Sequence, residues 1–206
     1  DPGEMTGDHL AEAVRILREG GVVAFPTETF YGLGADARNE AAVEKIFRIK
    51  ERNFQNPLPV IIADRDPLGA LVQDIPAAAS VLMRTFWPGP LTLVFRAAPS
   101  VSPRLTAGTG KIGVRVSSHP IAGFLAAGLS GPLTATSANP SGGPECSSAE
   151  AVAHALGDLP DAVIDGGPTP GGSGSTILDV TVSPPLILRE GAIPGSVIMH
   201  ALEASG

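Results

Sequence analysis

Lys50 and Arg52 stand two residues apart where a helical stretch ends, just before Asn56-Pro57-Leu58. A lysine as a point charge and an arginine as a planar fork could clamp a phosphate chain from there. Cations also favour helix C-termini through the macrodipole, so the pair alone does not require a ligand. Lys50, however, continues the apolar stripe of Val43, Ile46 and Phe47, where a solvated charge is out of place. Arg115 raises the same question, because it lies within the apolar run 112–116. A guanidinium inside a buried strand needs an anionic partner, either a core carboxylate or a ligand carboxylate.

Hydroxyls and amides recur at strand ends. Ser137 and Asn139 directly follow a strand-like segment, where small polar side chains can face a ligand at a sheet edge. Asn-Pro and Ser-Gly are equally good turn initiators. Ser175 and Thr176 follow the glycine-rich stretch 171–174, whose backbone amides could approach an anion. Ser147 opens Ser147-Ser148-Ala149-Glu150, a capping-box pattern that also accounts for it as a helix cap. Other chemistries lack their residues. The chain has no Walker-type phosphate loop, no dinucleotide glycine fingerprint after its first strand and no Gly-x-Ser-x-Gly elbow. His9, His119, His154 and His200 lack zinc spacing, and Cys146 has no adjacent base.

The elements that must position these groups can be read from periodicity and punctuation. Helices are predicted over 8–19, stopped by Gly20-Gly21, and after an N-cap at Asn39. Others are predicted over 77–86, over 120–127, from the capping box to about His154, and after Pro194. Strands are predicted at 22–25, 59–63, 91–95, 113–116, 133–136, 162–164, 176–180 and 186–188, with 26–34 as a loop. Strands and helices mingle without strict alternation, which predicts an α/β fold with a mixed sheet flanked by helices.

Composition limits the class. The 206 residues are 43% hydrophobic and 17% charged, and no long polar tract divides them, which favours one compact domain over 1–206. The 25 glycines and 20 prolines are spread between apolar runs without a short repeat, so they signal turns and not a collagen-like or disordered chain. A net charge of −7 disfavours a dedicated nucleic-acid binder unless a local basic patch exists. A single cysteine can make neither an internal disulfide nor a cysteine metal cage, and it suggests a reducing, cytoplasmic compartment. Residues 1–7 lack the marks of a signal peptide, and no apolar run is long enough to span a bilayer.

Taken together, the motifs resemble the YrdC-like threonylcarbamoyl-AMP synthase family over nearly the whole chain. They are Pro26-Thr27-Glu28-Thr29-Phe30-Tyr31-Gly32-Leu33-Gly34, Lys50-Glu51-Arg52 with Asn56-Pro57-Leu58, and Phe86-Trp87-Pro88-Gly89-Pro90-Leu91-Thr92. Val114-Arg115-Val116 with His119-Pro120, Ser137-Ala138-Asn139 and Asp165-Gly166-Gly167-Pro168 follow, then Ser175-Thr176-Ile177-Leu178-Asp179 and Leu188-Arg189. The Lys-x-Arg and Ser-x-Asn pair is the family hallmark, and both are intact.

The resemblance implies a twisted, open mixed sheet flanked by helices, with a concave ligand cavity. It implies a nucleotidyltransferase that joins L-threonine, bicarbonate or CO2, and ATP into threonylcarbamoyl-AMP and pyrophosphate, for threonylcarbamoyladenosine biosynthesis in tRNA. ATP would be held by Lys50, Arg52, Asn56, Lys111, Asn139, Ser147 and Arg189, with Lys50 and Arg52 as the catalytic pair. Threonine would be held by Thr29, Arg115, Ser137 and Ser175, with Arg115 on its carboxylate. Mg2+ would come with the nucleotide, no dedicated metal site being implied. The product would pass to a threonylcarbamoyl-transferase complex and tRNA, with direct tRNA contact left open.

This chain departs from the family at Ile61, where a histidine is common, and at Asn53, where a proline usually follows Lys-x-Arg. It ends soon after its last predicted helix, resembling the short single-domain form. Two competing readings share the fold: an RNA-binding or ribosome-maturation module, disfavoured by the net charge, and a silent or carbamoyl-transfer relative, disfavoured by the intact Lys50, Arg52, Ser137 and Asn139.

Overall fold

The structure, a computed structural model, describes residues 7–206. Helix α1 (Gly7–Arg18) buries Ala13, Val14 and Leu17 and ends as glycine chemistry demands. Gly20 sits at φ +88°, and the amides of Gly20 and Gly21 bond back to Leu17 O and Ile16 O. This paired return is the left-handed glycine stop that satisfies the last carbonyls of a helix. Helix α2 (Glu40–Lys50) starts at Asn39, whose side chain accepts the Ala42 amide at 3.1 Å. It ends in the same kind of reversal without a glycine: Glu51 takes φ +52°, and the Arg52 amide returns to Phe47 O at 2.9 Å. The turn throws Lys50 and Arg52 in different directions.

The strands are β1 (Val23–Pro26), β2 (Tyr31–Gly34), β3 (Val60–Ile61), β4 (Leu91–Arg96), β5 (Lys111–Arg115), β6 (Leu133–Thr134), β7 (Thr136–Ser137), β8 (Ala162–Val163), β9 (Thr176–Asp179) and β10 (Leu186–Arg189). They form two mixed sheets where one was expected, a four-stranded sheet in the order β7-β2-β1-β8 and a six-stranded one in the order β10-β9-β4-β5-β3-β6. The remaining helices are α3 (Leu68–Leu71), α4 (Ala77–Phe86), α5 (Pro103–Thr106), α6 (Pro120–Leu129), α7 (Ala149–Leu156) and α8 (Gly195–Glu203). No helix among the described residues is long and apolar enough to cross a membrane.

Two local differences from the sequence reading position the site. The stretch 26–34, read as a loop, contains β2, which pairs antiparallel with β1 from Pro26↔Tyr31 to Val23↔Gly34. Its glycines hid it. At Gly34 a Cβ would come within 2.7 Å of the Phe25 ring and 2.8 Å of Leu133, so the close approach of the two sheets excludes any larger residue. The predicted strand 133–136 is two strands: β6 pairs with β3 in the larger sheet, and one residue later β7 pairs with β2 in the smaller. At this crossing the chain carries Ser137 and Asn139 from one sheet to the other. The α7 cap is Ser148, which accepts the Ala151 amide at 3.1 Å; Ser147, which the sequence offers as the cap, stands one residue outside it.

Two apolar clusters hold the layers. One gathers Val22, Leu33, Ile46, Phe47, Leu93 and Val114 among others, and a smaller one packs α1 and α6 over Phe25, Ile61 and Leu133. Lys50 is 1% exposed inside this packing.

Candidate active site

A row of side chains crosses the six-stranded sheet. The registers pair Ile61 with Arg115, Thr92 with Ile177, and Ile177 with Arg189. Extending the β4–β5 register one step beyond Leu93↔Val114 sets Thr92 opposite Arg115. Residues opposite one another on neighbouring strands share a face. The row Ile61–Arg115–Thr92–Ile177–Arg189 therefore looks to one side, and all five line a cavity of about 240 Å³. Thr29, Tyr31, Thr136 and Ser137 close it from the smaller sheet and its β1–β2 turn. Arg52, Pro57 and Pro59 contribute from the segment after α2, Gly174 and Ser175 from the approach to β9, and Glu145 from the loop before α7.

Three guanidiniums thus face one space. Arg115 is 7% exposed, and its charge partner among the described residues is Glu28, with Nη2 3.4 Å from Oε1. Burial lowers its pKa, Glu28 works against that, and Arg189 adds to it. An arginine stays protonated through such shifts, so the result is a buried cation with spare donors. Arg189 donates from Nε and Nη2 to Ser175 O at 3.1 and 2.7 Å, and Ser175 Oγ lies 3.0 Å from Thr92 Oγ1. Arg52 donates from Nη2 to Pro57 O at 2.8 Å, while its buried Nε has no partner among the described residues. Burial lowers the Arg52 pKa as well.

Lys50 differs from the sequence expectation. It does not line the cavity. Its Nζ donates to Ser137 O at 2.6 Å, Asn139 O at 2.8 Å and Asn139 Oδ1 at 2.9 Å, with Ser137 Oγ at 3.3 Å. An ammonium has three N–H donors, and these acceptors use them all. The Ser137 hydroxyl donates to Asn139 Oδ1 at 2.6 Å, and Asn139 Nδ2 to Gly143 O at 2.6 Å. The lysine and the Ser-x-Asn turn are therefore bound directly to each other, across 87 residues of sequence. Lys50 carries its charge to the cavity from behind that turn. Burial, and then Arg52 nearby, lower its pKa to about 8.

Of the other sequence candidates, Thr29, Ser137 and Ser175 line the cavity with Arg52, Arg115 and Arg189. Asn139 stands behind with Lys50. Asn56 is exposed, next to the lining residue Pro57, and Ser147 is exposed two residues from the lining Glu145. Lys111 falls elsewhere. It begins the strand that Arg115 ends, four residues or about 13 Å away, and its ammonium is paired with Asp179 Oδ2 at 2.9 Å. It therefore stands apart from the lining residues. Thr92 and Glu28 were not singled out from sequence, although both lie within the quoted motifs. Only the cross-strand register marks Thr92, and only the fold brings Glu28 to Arg115.

Mixed sheets flanked by helices, with three arginines lining one hydroxyl-rich cavity, define an α/β protein with a concentration of positive charge at that cavity. The profile of the Sua5/YciO/YrdC family, described as telomere recombination, matches residues 15–191, and the chain belongs to that family. It is 46% identical over 196 residues to the threonylcarbamoyl-AMP synthase of Bacillus subtilis, covering 95% of this chain and 56% of that protein. A putative threonylcarbamoyl-AMP synthase of Mycobacterium tuberculosis is 36% identical over 202 residues, covering 98% of this chain and 92% of its own length. The crystal structure of Pyrococcus abyssi Sua5 complexed with L-threonine superposes with a TM-score of 0.93 at 41% identity, covering 97% of this chain and 58% of that one. The chain thus spans a little over half the length of the Bacillus relative and of the Pyrococcus structure it matches.

Proposed function

We propose that this chain forms L-threonylcarbamoyl-AMP from L-threonine, CO2 or bicarbonate, and ATP. The observation that carries this reading is the buried Arg115, with spare donors facing the same cavity as Arg52 and Arg189. The name of the Bacillus relative and the threonine complex of the Pyrococcus relative support it. Threonine's amine attacks the carbon of CO2, an N–C bond forms, and the ammonium so made loses a proton to solvent. A carbamate oxygen then attacks the α-phosphorus of ATP, and the bond to the pyrophosphate oxygen breaks, with its electron pair leaving on pyrophosphate. Both nucleophiles belong to the substrates. The protein's task is to hold two anions side by side, exclude water from the labile carbamate and offset charge growing on the phosphates.

In this reading Arg115 binds the threonine carboxylate, and Thr29, Ser137 and Ser175 offer hydroxyls to the rest of the amino acid. Arg52 and Arg189 bind phosphate oxygens, with Asn56 and Ser147 reaching the nucleotide at the rim. Lys50 and Asn139 act together, Lys50 fixing the Ser137–Asn139 turn and adding positive charge from behind it. Glu145 is the lining carboxylate among the described residues, so magnesium would be held chiefly by the nucleotide's own phosphates. The product would go to a complex that transfers the threonylcarbamoyl group to tRNA.

The test is pyrophosphate release with ATP and bicarbonate, amino acids being supplied one at a time. Release that requires L-threonine and is lost in Arg52→Ala supports the reading. Release indifferent to the amino acid overturns it.

A further inference from the structure

Glu28 is a largely buried carboxylate to which the proposed chemistry gives no task. It sits in the turn between β1 and β2, next to Thr29, and its side chain is 14% exposed. Oε1 accepts the Ser117 hydroxyl at 2.7 Å and faces Arg115 Nη2 at 3.4 Å. Oε2 accepts the Ser118 amide at 2.6 Å and the Ser118 hydroxyl at 3.0 Å. Three donors therefore fix this carboxylate, all of them two or three residues beyond Arg115 on the chain. Burial alone would raise the Glu28 pKa, but Arg115, Ser118 and Ser117 together hold it below the ordinary carboxylate value. It is an anion wherever the protein is folded near neutral pH.

The placement is asymmetric. Arg115 lines the cavity and Glu28 does not. The carboxylate thus meets the guanidinium at Nη2 without itself lining the space, and among the described residues it is the ion-pair partner of Arg115. Arg189, on the same cross-strand row, is close enough to lower the Arg115 pKa. Without an anion behind it, Arg115 would be a buried cation repelled by a second one, free to leave the geometry that a planar, two-pronged carboxylate contact requires.

We propose that Glu28 is a positioning residue that orients Arg115 for an incoming amino-acid carboxylate, by anchoring one edge of the guanidinium to the 117–118 turn. This rests on the reading of the cavity as an amino-acid site. The same anchor joins the β1–β2 turn of the smaller sheet to the end of β5 in the larger, so Thr29 and Arg115 are set relative to each other by one side chain.

The experiment measures L-threonine binding by calorimetry and threonine-dependent pyrophosphate release for the wild type, Glu28→Gln, Ser118→Ala and Arg115→Met, and for Glu28→Gln combined with Arg115→Met. Glu28→Gln keeps the shape but removes the charge. It should weaken threonine binding and raise the KM for threonine at least tenfold, with a far smaller change in kcat and in the KM for ATP. Ser118→Ala, which leaves Glu28 charged but loosens it, should move the same constant in the same direction by about threefold. In the Arg115→Met background, Glu28→Gln should cost threonine affinity nothing further. Equal threonine affinity in the wild type and Glu28→Gln overturns the proposal, as does a parallel loss of threonine and ATP affinity, which a merely structural latch would give. Should Glu28→Gln fail to fold, an unchanged threonine KM in folded Ser118→Ala also overturns it. A wild type that binds threonine without releasing pyrophosphate defeats the reaction but not the positioning role. A wild type that binds no threonine defeats both.

Discussion

The two ends of strand β5 make an instructive pair. At one end Lys111 meets Asp179 at 2.9 Å, and Asp179 also accepts the Thr181 amide and hydroxyl at 2.8 and 2.6 Å. Burial would raise the Asp179 pKa, but Thr181 and Lys111 overcome it and hold the group below its ordinary value. Lys111 has a carboxylate of its own, so this pair is electrically closed. At the other end Arg115, Arg189 and Arg52 face a common space with Lys50 behind them, and the buried carboxylate among them is Glu28. Both ends lie on the same strands, since β5 carries Lys111 and Arg115 while β9 carries Asp179 and begins just after Ser175. The difference is therefore not one of scaffold. Arg115 and Lys50 are buried, Arg52 partly so and Arg189 exposed, and a fold keeps such a gathering of positive charge, at a cost in desolvation, where an anion is to arrive from outside.

The largest expected effect comes from removing the cation on which the contrast depends. Arg115→Ala should weaken L-threonine binding by more than 100-fold, the scale of about 3 kcal/mol for truncating one partner of a buried charge pair. Titration calorimetry reads this directly. The variant also leaves Glu28 without its counter-ion, so a lower melting temperature should accompany the loss. Threonine affinity within a few-fold of the wild type would mean that the excess charge serves something else.

Lys50 sharpens the comparison in a second way, because among the described residues it has no carboxylate bonded to it and donates to neutral oxygens. Lys50→Met strips the donors from the Ser137–Asn139 turn. At about 1–3 kcal/mol for each buried acceptor left unpaired, a total near 3 kcal/mol is reasonable. For a domain of this size that is a fall of about 6–12 °C in Tm by calorimetry. The same lysine sets a pH dependence. With its pKa lowered to about 8, it is charged below that pH and increasingly neutral above it, so one positive charge leaves the cavity as pH rises. Arg52, Glu145 and Cys146 are the groups that act on it. The KM for ATP should climb several-fold from pH 7 to pH 9. In Lys50→Arg, where a guanidinium keeps its charge throughout, that climb should flatten.

How much of this was legible beforehand depended on whether the relevant contacts were local. Helix starts and stops at Asn39 and Gly20 were readable, since a cap is satisfied within three or four residues. Arg115 declared itself because a charge inside an apolar run contradicts its surroundings. The place of Lys50 on an apolar stripe correctly signalled burial, but its hydrogen-bond partners lie 87 and 89 residues away, beyond the reach of any local pattern. Sheet order was hidden for the same reason. β6 and β7 read as one strand because the chain changes partners across a single residue, and β2 read as a loop because Gly32 and Gly34 suppress its strand signal where the sheets approach. Lys111 is named for ATP by motif position alone, and the strand sets it at the opposite end of β5 from Arg115.

The smallest expected effect is the most direct check on the place of Lys111. Lys111→Ala removes the cation at the closed end. Its side chain is 40% exposed, so the pair with Asp179 is worth at most about 1 kcal/mol after screening by solvent, and Asp179 keeps both Thr181 donors. Tm should fall by no more than about 4 °C. The KM values for ATP and threonine should stay within twofold, because a charge about 13 Å along the strand, already neutralised locally, adds little field at the cavity. Double substitution with Lys50→Met should give the sum of the two stability losses, as expected for sites with no shared partner. A tenfold rise in the KM for ATP in Lys111→Ala alone would show that the two ends are not independent. The nucleotide would then have to reach along β5 toward Asp179, and the imbalance at Arg115 could no longer be read as the mark of the site.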